Sequence, residues 1–216
     1  MGEATRMHKQ SAKRLMDLVI ASLGLVLVSP LLLLLYLWIR LDSGGAVLFR
    51  QVRVGQGGRR FVLLKFRSMV AGAPDLRNQD GSTFNADDDP RLTRVGRFLR
   101  RTSLDELPQL LNVLQGDMSL VGPRPDLPDQ VHYYTERQRK RLLVKPGLTG
   151  WAVVNGRNGL TWEERRELDV EYVERFSIWL DLQILLRTVA LVLRGKGLYI
   201  TKPPRLPNSE PNDARG

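Results

Sequence analysis

The longest unbroken apolar stretch runs from Leu18 to Ile39, 22 residues without a formal charge. At about 1.5 Å per residue it is long enough to match roughly 30 Å of hydrocarbon. It is too long for the apolar core of a signal peptide, and no small-x-small cleavage site follows it. Arg6 stands where a myristoylation motif needs Ser or Thr. Ser29-Pro30 divides the run into Leu18–Ser29 and Pro30–Ile39, with Lys9, Lys13 and Arg14 before it and Arg40, Arg50 and Arg53 after it. Basic flanks on both sides give both ends a preference for the cytoplasm. A helix that enters the bilayer, breaks at the proline and returns satisfies that preference, the Ser29 hydroxyl serving carbonyls freed at the break. Composition alone leaves a proline-kinked single span equally open. At its edge, Lys13 at i−4 is placed to pair with Asp17.

Beyond it the pattern changes period. Ala46–Val54 and Arg59–Phe66 read as strands joined through Gly55-Gln56-Gly57-Gly58, a hairpin turn. Because a strand follows it, this glycine run is not a phosphate loop. Ala71 to Asp89 is polar and reads as a mobile loop, its Asp87-Asp88-Asp89 run as solvated. From Arg91 a helix is predicted, with Leu92, Val95, Phe98 and Leu99 on one side and Arg94, Arg97 and Arg101 on the other. Ser103 to Leu114, SLDELPQLLNVL, opens a second helix whose Leu107, Leu110, Leu111 and Leu114 form an apolar face. Gly122-Pro123-Arg124-Pro125 is one rigid elbow, and Lys145 to Trp151 a second, leading to Asn155-Gly156-Arg157-Asn158. Thr161-Trp162-Glu163-Glu164 starts another helix with a capping box. Ile178 to Leu193 is amphipathic, fit for an interface or a core. Lys202 to Gly216, with four prolines, reads as disordered. The sum is a mostly helical α+β domain with one β-hairpin.

Charge narrows the partners. Lys and Arg number 33 against 23 Asp and Glu, a net +10, so anionic partners are expected: nucleic acid, anionic lipid or sugar nucleotides. With no cysteine and only His8 and His132, disulfides, thiolate zinc sites and multi-histidine metal centres are excluded.

The densest chemistry sits at Asp105-Glu106. Five arginines, Arg91, Arg94, Arg97, Arg100 and Arg101, precede this carboxylate pair within fifteen residues. Ser103 and Glu106 also match a capping box, with Asp105 complementing the helix dipole. Pro108, one turn inside that helix, fits capping less well and implies a distorted turn that presents a carboxylate. Arginines fixed by proline elbows suit bidentate phosphate contacts.

The order KRLMDL, an apolar run with Ser-Pro, FRQVRVG, KFRSM, RFLRRTSLDELPQLLNVLQGDMSLVGPRP, KPGLTGWAVVNGRN and GKGLY resembles the bacterial sugar transferases, the monotopic polyprenyl-phosphate phosphoglycosyl transferases, over about residues 11–200. It looks like their small form, little more than a catalytic domain. The resemblance implies four segments: a basic start at 1–14, a re-entrant membrane helix at 15–40, a cytoplasmic catalytic domain with interfacial amphipathic helices at 41–200, and a tail at 201–216. It implies a cytoplasmic-face enzyme of the bacterial inner membrane, in contact with phospholipid and not with nucleic acid. Such an enzyme moves a phosphosugar from a nucleotide diphosphate sugar, usually a uridine one, to a polyprenyl phosphate such as undecaprenyl phosphate, releasing the nucleoside monophosphate. Asp105 would be the nucleophile, forming an aspartyl-phosphosugar, and Glu106 its assistant; both would meet Mg²⁺, which neutralises repulsion between anions. Arg124 and Arg157, with Lys65, Arg100 and Arg101, would hold phosphate. A rival reading, a membrane-anchored protein binding anionic lipid or nucleic acid without catalysis, uses the charge and the anchor but leaves the Asp-Glu pair without purpose. The sugar and the oligomeric state are not legible.

Overall fold

A computed structural model describes residues 3–78, 84, 86, 89–156 and 159–194. The architecture is α+β. Helix α1 (Glu3–Ser43) is followed by a hairpin of β1 (Leu48–Val54) and β2 (Arg60–Phe66), then α2 (Arg94–Thr102) and α3 (Gln109–Gln115). A short parallel pair, β3 (Ser119–Val121) and β4 (Gly147–Thr149), precedes α4 (Trp151–Val154), α5 (Trp162–Glu174) and α6 (Ile178–Arg194).

The expected break in the membrane segment is absent: α1 is one continuous helix with Pro30 inside it. Proline has no N–H for the carbonyl of Val26 four residues back. The Ser29 hydroxyl donates to that carbonyl at 2.8 Å, so the orphaned acceptor is satisfied locally and the helix continues. Segments of α1 on both sides of Pro30 are buried against the same body. Asp17 and Ala21 pack on one side of the proline, Leu35 and Ile39 on the other. Between them the outward face is bare: Leu27 is 81 % exposed and Leu34 64 %. Lys13 does not pair with Asp17 but donates to Asp181 of α6 at 2.5 Å, while Asp17 accepts the amide of Leu120 at 3.1 Å. Both aspartates are buried, so each needs a partner: Asp181 takes the Lys13 ammonium and Asp17 a backbone N–H.

The hairpin forms as predicted, with Leu48 opposite Phe66 and Val54 opposite Arg60. Two apolar clusters hold the frame. Ala21, Phe61, Leu63, Val113, Met118, Val121 and Ile184 make one; Leu35, Ile39, Val47, Phe66, Val95 and Leu99 make the other. Truncating Leu99, fully buried, to Ala would cost about 2–5 kcal/mol. Among the described residues of the expected loop at 71–89, Phe84, Ala86 and Asp89 are buried rather than solvated, and Arg91 grips Asp89 at 2.6 Å. The expected tail at 201–216 lies outside the described residues.

The two proline elbows are one structure. β3 and β4 join them in parallel, Gly122 N–H reaching Thr149 O and Gly147 N–H reaching Pro123 O, both at 2.9 Å. A Cβ on Gly147 would lie 2.0 Å from Gly122 N, so the approach requires glycine.

Candidate active site

Helix α2 begins at Thr93, whose side chain caps Gly96 N–H, and ends at Ser103 in the left-handed region at φ 58°. An N-cap residue needs extended backbone, and Ser103 instead closes α2, its N–H returning to Arg100 O and Leu99 O. The capping-box reading of Ser103 and Glu106 therefore fails. Leu104–Glu106 form a separate 3₁₀ turn, and Pro108 stands just before α3 rather than inside it. Proline is tolerated there because its missing N–H needs no helical partner. The capping box of Thr161 and Glu164, by contrast, is present as predicted and opens the thirteen-residue α5.

Asn112 of α3 sets the next distance. Its side-chain amide donates to Val62 O at 2.8 Å and its oxygen accepts Leu64 N–H at 3.0 Å, mimicking a neighbouring strand along β2. This brings Lys65 over the turn, and Lys65 Nζ donates to Glu106 Oε1 at 2.8 Å. Arg124 Nη2 donates to the same oxygen at 3.2 Å. Burial opposes the charge on Glu106, but Lys65 and Arg124 outweigh it and hold the carboxyl far below the usual range.

Asp105 differs. Its residue is 8 % exposed, and its carboxylate has no hydrogen-bond partner among the described residues. Burial pushes its pKa up against the opposing charges of Lys65, Arg100 and Arg124. Two adjacent carboxylates are thus differentiated: one neutralised by two cations, the other surrounded by charge yet left unbonded.

Of the residues expected at the site, Lys65, Arg124, Asp105 and Glu106 come together. Arg100 contributes charge while its Nε donates to Ser68 Oγ at 3.0 Å. Arg101 is exposed on α2. Arg157 lies outside the described residues.

The sequence reading missed what fixes Arg124. Arg141 donates to Arg124 O at 2.9 Å and to Asp126 and Asp169, each at 2.7 Å. Burial lifts Asp169 to about 6 in spite of Arg141. In sequence Arg141 belongs to QRKRLL, indistinguishable from a solvated basic run; only its burial reveals its part.

No cluster of three or more His, Cys, Asp or Glu that could enclose a metal occurs among the described residues. The donor set fits a hard divalent ion shared with substrate: Asp105 is an unbonded carboxylate, and Mg²⁺ is commonly held by one or two carboxylates together with phosphates and water.

The model of the bacterial sugar transferase family matches residues 8–195, and the chain belongs to that family. Its relatives include the "uncharacterized sugar transferase EpsL" of Bacillus subtilis, 50 % identical over 88 % of this chain and 91 % of that protein. The UDP-glucose:undecaprenyl-phosphate glucose-1-phosphate transferase of Escherichia coli is 45 % identical over 87 % of this chain. The undecaprenyl-phosphate galactose phosphotransferase of Salmonella typhimurium is 43 % identical over the same share. The chain spans 41 % of the length of each of these two larger relatives.

Proposed function

We propose that this chain is a polyprenyl-phosphate phosphoglycosyl transferase that takes a phosphosugar from a uridine diphosphate sugar and passes it to undecaprenyl phosphate. One observation carries the reading: Asp105 is buried, unbonded and faced by the charges of Lys65, Arg100 and Arg124, while the carboxylate beside it has one oxygen engaged by both Lys65 and Arg124. A carboxylate left unbonded among cations suits attack on a phosphorus whose own negative charge those cations offset. The names of the Escherichia coli and Salmonella relatives supply the substrate class.

In the first step an Asp105 oxygen bonds to the sugar-bearing phosphorus as the phosphoanhydride bond breaks, and UMP leaves with the bonding pair. In the second, a phosphate oxygen of the acceptor bonds to the same phosphorus, and the Asp105 carboxylate is released. A phosphate monoester has a second pKa near 6, so the acceptor needs little help from a base. Glu106 anchors Lys65 and Arg124 at the height of the reacting phosphate. Mg²⁺, held by Asp105 and Glu106 with substrate oxygens, would neutralise charge on the transferring group.

The exposed apolar face of α1, which lies between segments packed on one body on either side of Pro30, supports a monotopic seat on the cytoplasmic leaflet of the bacterial inner membrane. A spanning helix would separate those ends by the bilayer.

The test is the protein with sugar-labelled UDP-sugars and Mg²⁺ but no acceptor. Label should appear on the chain at no more than one per molecule, with UMP released, and Asp105→Asn should lose both. Persisting label in Asp105→Asn, or UDP as product, would refute Asp105 as nucleophile.

A further inference from the structure

Arg53 has no part in the scheme above, yet its surroundings are those of an anion ligand. It projects from β1, where Arg53 pairs with Phe61, Gln51 with Leu63 and Phe49 with Lys65. Directly paired residues share a face of a hairpin, so Arg53 and Lys65 lie on the same side. They are four positions apart in register, about 14 Å at roughly 3.4 Å per residue. Arg53 Nη1 donates to Pro125 O at 3.1 Å, immediately after Arg124, while Nε and Nη2 both donate to Gln51 Oε1, at 3.1 and 2.6 Å. Of its five N–H groups three are used, all on neutral acceptors, and two have no partner among the described residues. Burial and then the facing charge of Arg124 push its pKa down to about 10. A half-buried guanidinium held against another guanidinium by uncharged groups has no carboxylate in ion-pair contact among the described residues, Asp126 and Glu106 acting on it only at a distance.

We infer that Arg53 binds the phosphate that departs with the nucleoside, Arg124 reaching both that phosphate and the neighbouring sugar-bearing phosphorus, which Lys65 and Asp105 serve. The assignment rests on the proposed reaction and deepens it. A planar fork with two open N–H groups matches two phosphate oxygens, and the register spacing leaves room for the second phosphate between Arg53 and Lys65.

The test uses the whole detergent-solubilised chain and two probes, UMP and UDP. Arg53→Gln should weaken binding of both by about 10- to 100-fold, with Arg53→Lys intermediate. In turnover, the KM for the sugar nucleotide should rise while that for polyprenyl phosphate stays unchanged. Unaltered UMP affinity in Arg53→Gln overturns the assignment. So does an equal rise of both KM values, which would mean that Arg53 only holds the Arg124 loop, and so does a rise confined to the acceptor. Failure of the reaction itself is separable: wild-type protein that releases no UMP from any sugar nucleotide refutes the enzyme reading, whereas the nucleotide-binding arm stands on its own.

Discussion

Replacing Lys65 with Met keeps much of the side chain's length and removes its charge, which tests how the two carboxylates are told apart. The Lys65–Glu106 contact is 2.8 Å long, between side chains 17 % and 19 % exposed. It is therefore neither a screened surface pair, worth about 0.2–1 kcal/mol, nor a fully enclosed one whose breaking costs about 3–5 kcal/mol. Arg124 still holds the same Glu106 oxygen. The loss is then close to that of one charged hydrogen bond, about 1.5–3 kcal/mol. If this falls on the transition state, it corresponds to about 10- to 150-fold in rate.

The pH dependence gives the sharper signature. Asp105 has a raised pKa, with burial raising it and Lys65 the foremost charge lowering it. Its reactive carboxylate is lost as pH falls through that raised value. Without Lys65 the value rises further, so the acid limb of acceptor-independent UMP release should move to higher pH. Glu106 has a depressed pKa, so the stability it contributes is present above the unfolded value and is lost as pH falls. Lys65→Met should reduce that contribution, which thermal unfolding at neutral pH would detect. Lys65→Arg should keep the limb near its wild-type place. An unmoved limb in Lys65→Met, or one displaced to lower pH, would refute the electrostatic account of the pair.

Three further outcomes are expected. Chelation by EDTA should abolish UMP release and added Mg²⁺ restore it; full activity in excess chelator would show that Lys65 and the arginines suffice. Arg141→Met leaves Asp169 and much of Asp126 buried without their cation, their side chains being 1 % and 10 % exposed, and should destabilise the protein by about 3–5 kcal/mol in denaturant titration. That deficit should shrink as pH falls through the raised pKa of Asp169, because the buried charge is then neutralised; a deficit independent of pH would refute the charge argument. Single cysteines at His8 and Ser43, in a chain without native cysteine, should both resist an impermeant thiol reagent applied to intact cells; labelling of one alone would mean that α1 spans.

What the sequence disclosed depends on the range of the forces involved. The hairpin, the Thr161 cap and the helix over Ile178–Arg194 rest on local period and turn chemistry, and all are present. The Asp105-Glu106 pair and Arg124 were legible as a motif, although their partners were not. Asn112 looked like one polar position in a leucine-rich helix and proves to be the strut between α3 and β2. Lys13 finds its acceptor 168 residues away rather than one turn along, and no local pattern encodes that choice. Ser103 misled for a related reason. The same Ser-x-x-Glu spacing serves a cap or a reversal, and the preceding helix, by ending there, decided for the left-handed turn.

The position of α6 connects these long-range contacts to the chemistry. Trp179, Leu182, Leu186, Val189 and Leu193 recur at helical spacing and are exposed, Leu193 at 82 %, while Leu180, Asp181 and Ile184 face inward. The helix is thus amphipathic in the sense opposite to a simple core helix: its inner side carries a buried aspartate, and its outer side is apolar. Asp181 binds Lys13 of α1 and Tyr172 of α5, so α1, α6 and the body are tied at one charged point. On the proposed reading this has a kinetic meaning. The acceptor's phosphate lies at headgroup level and its long chain in the hydrocarbon, so Asp105 must be held at a fixed height to attack and then surrender the phosphosugar. An apolar outer face sets that height through burial in the lipid, and the Asp181 tie transmits it to the frame that carries Lys65 and Arg124. Lys13→Met should therefore slow the acceptor-dependent second step more than acceptor-free UMP release. Equal slowing of both steps would mean that the tie serves stability alone.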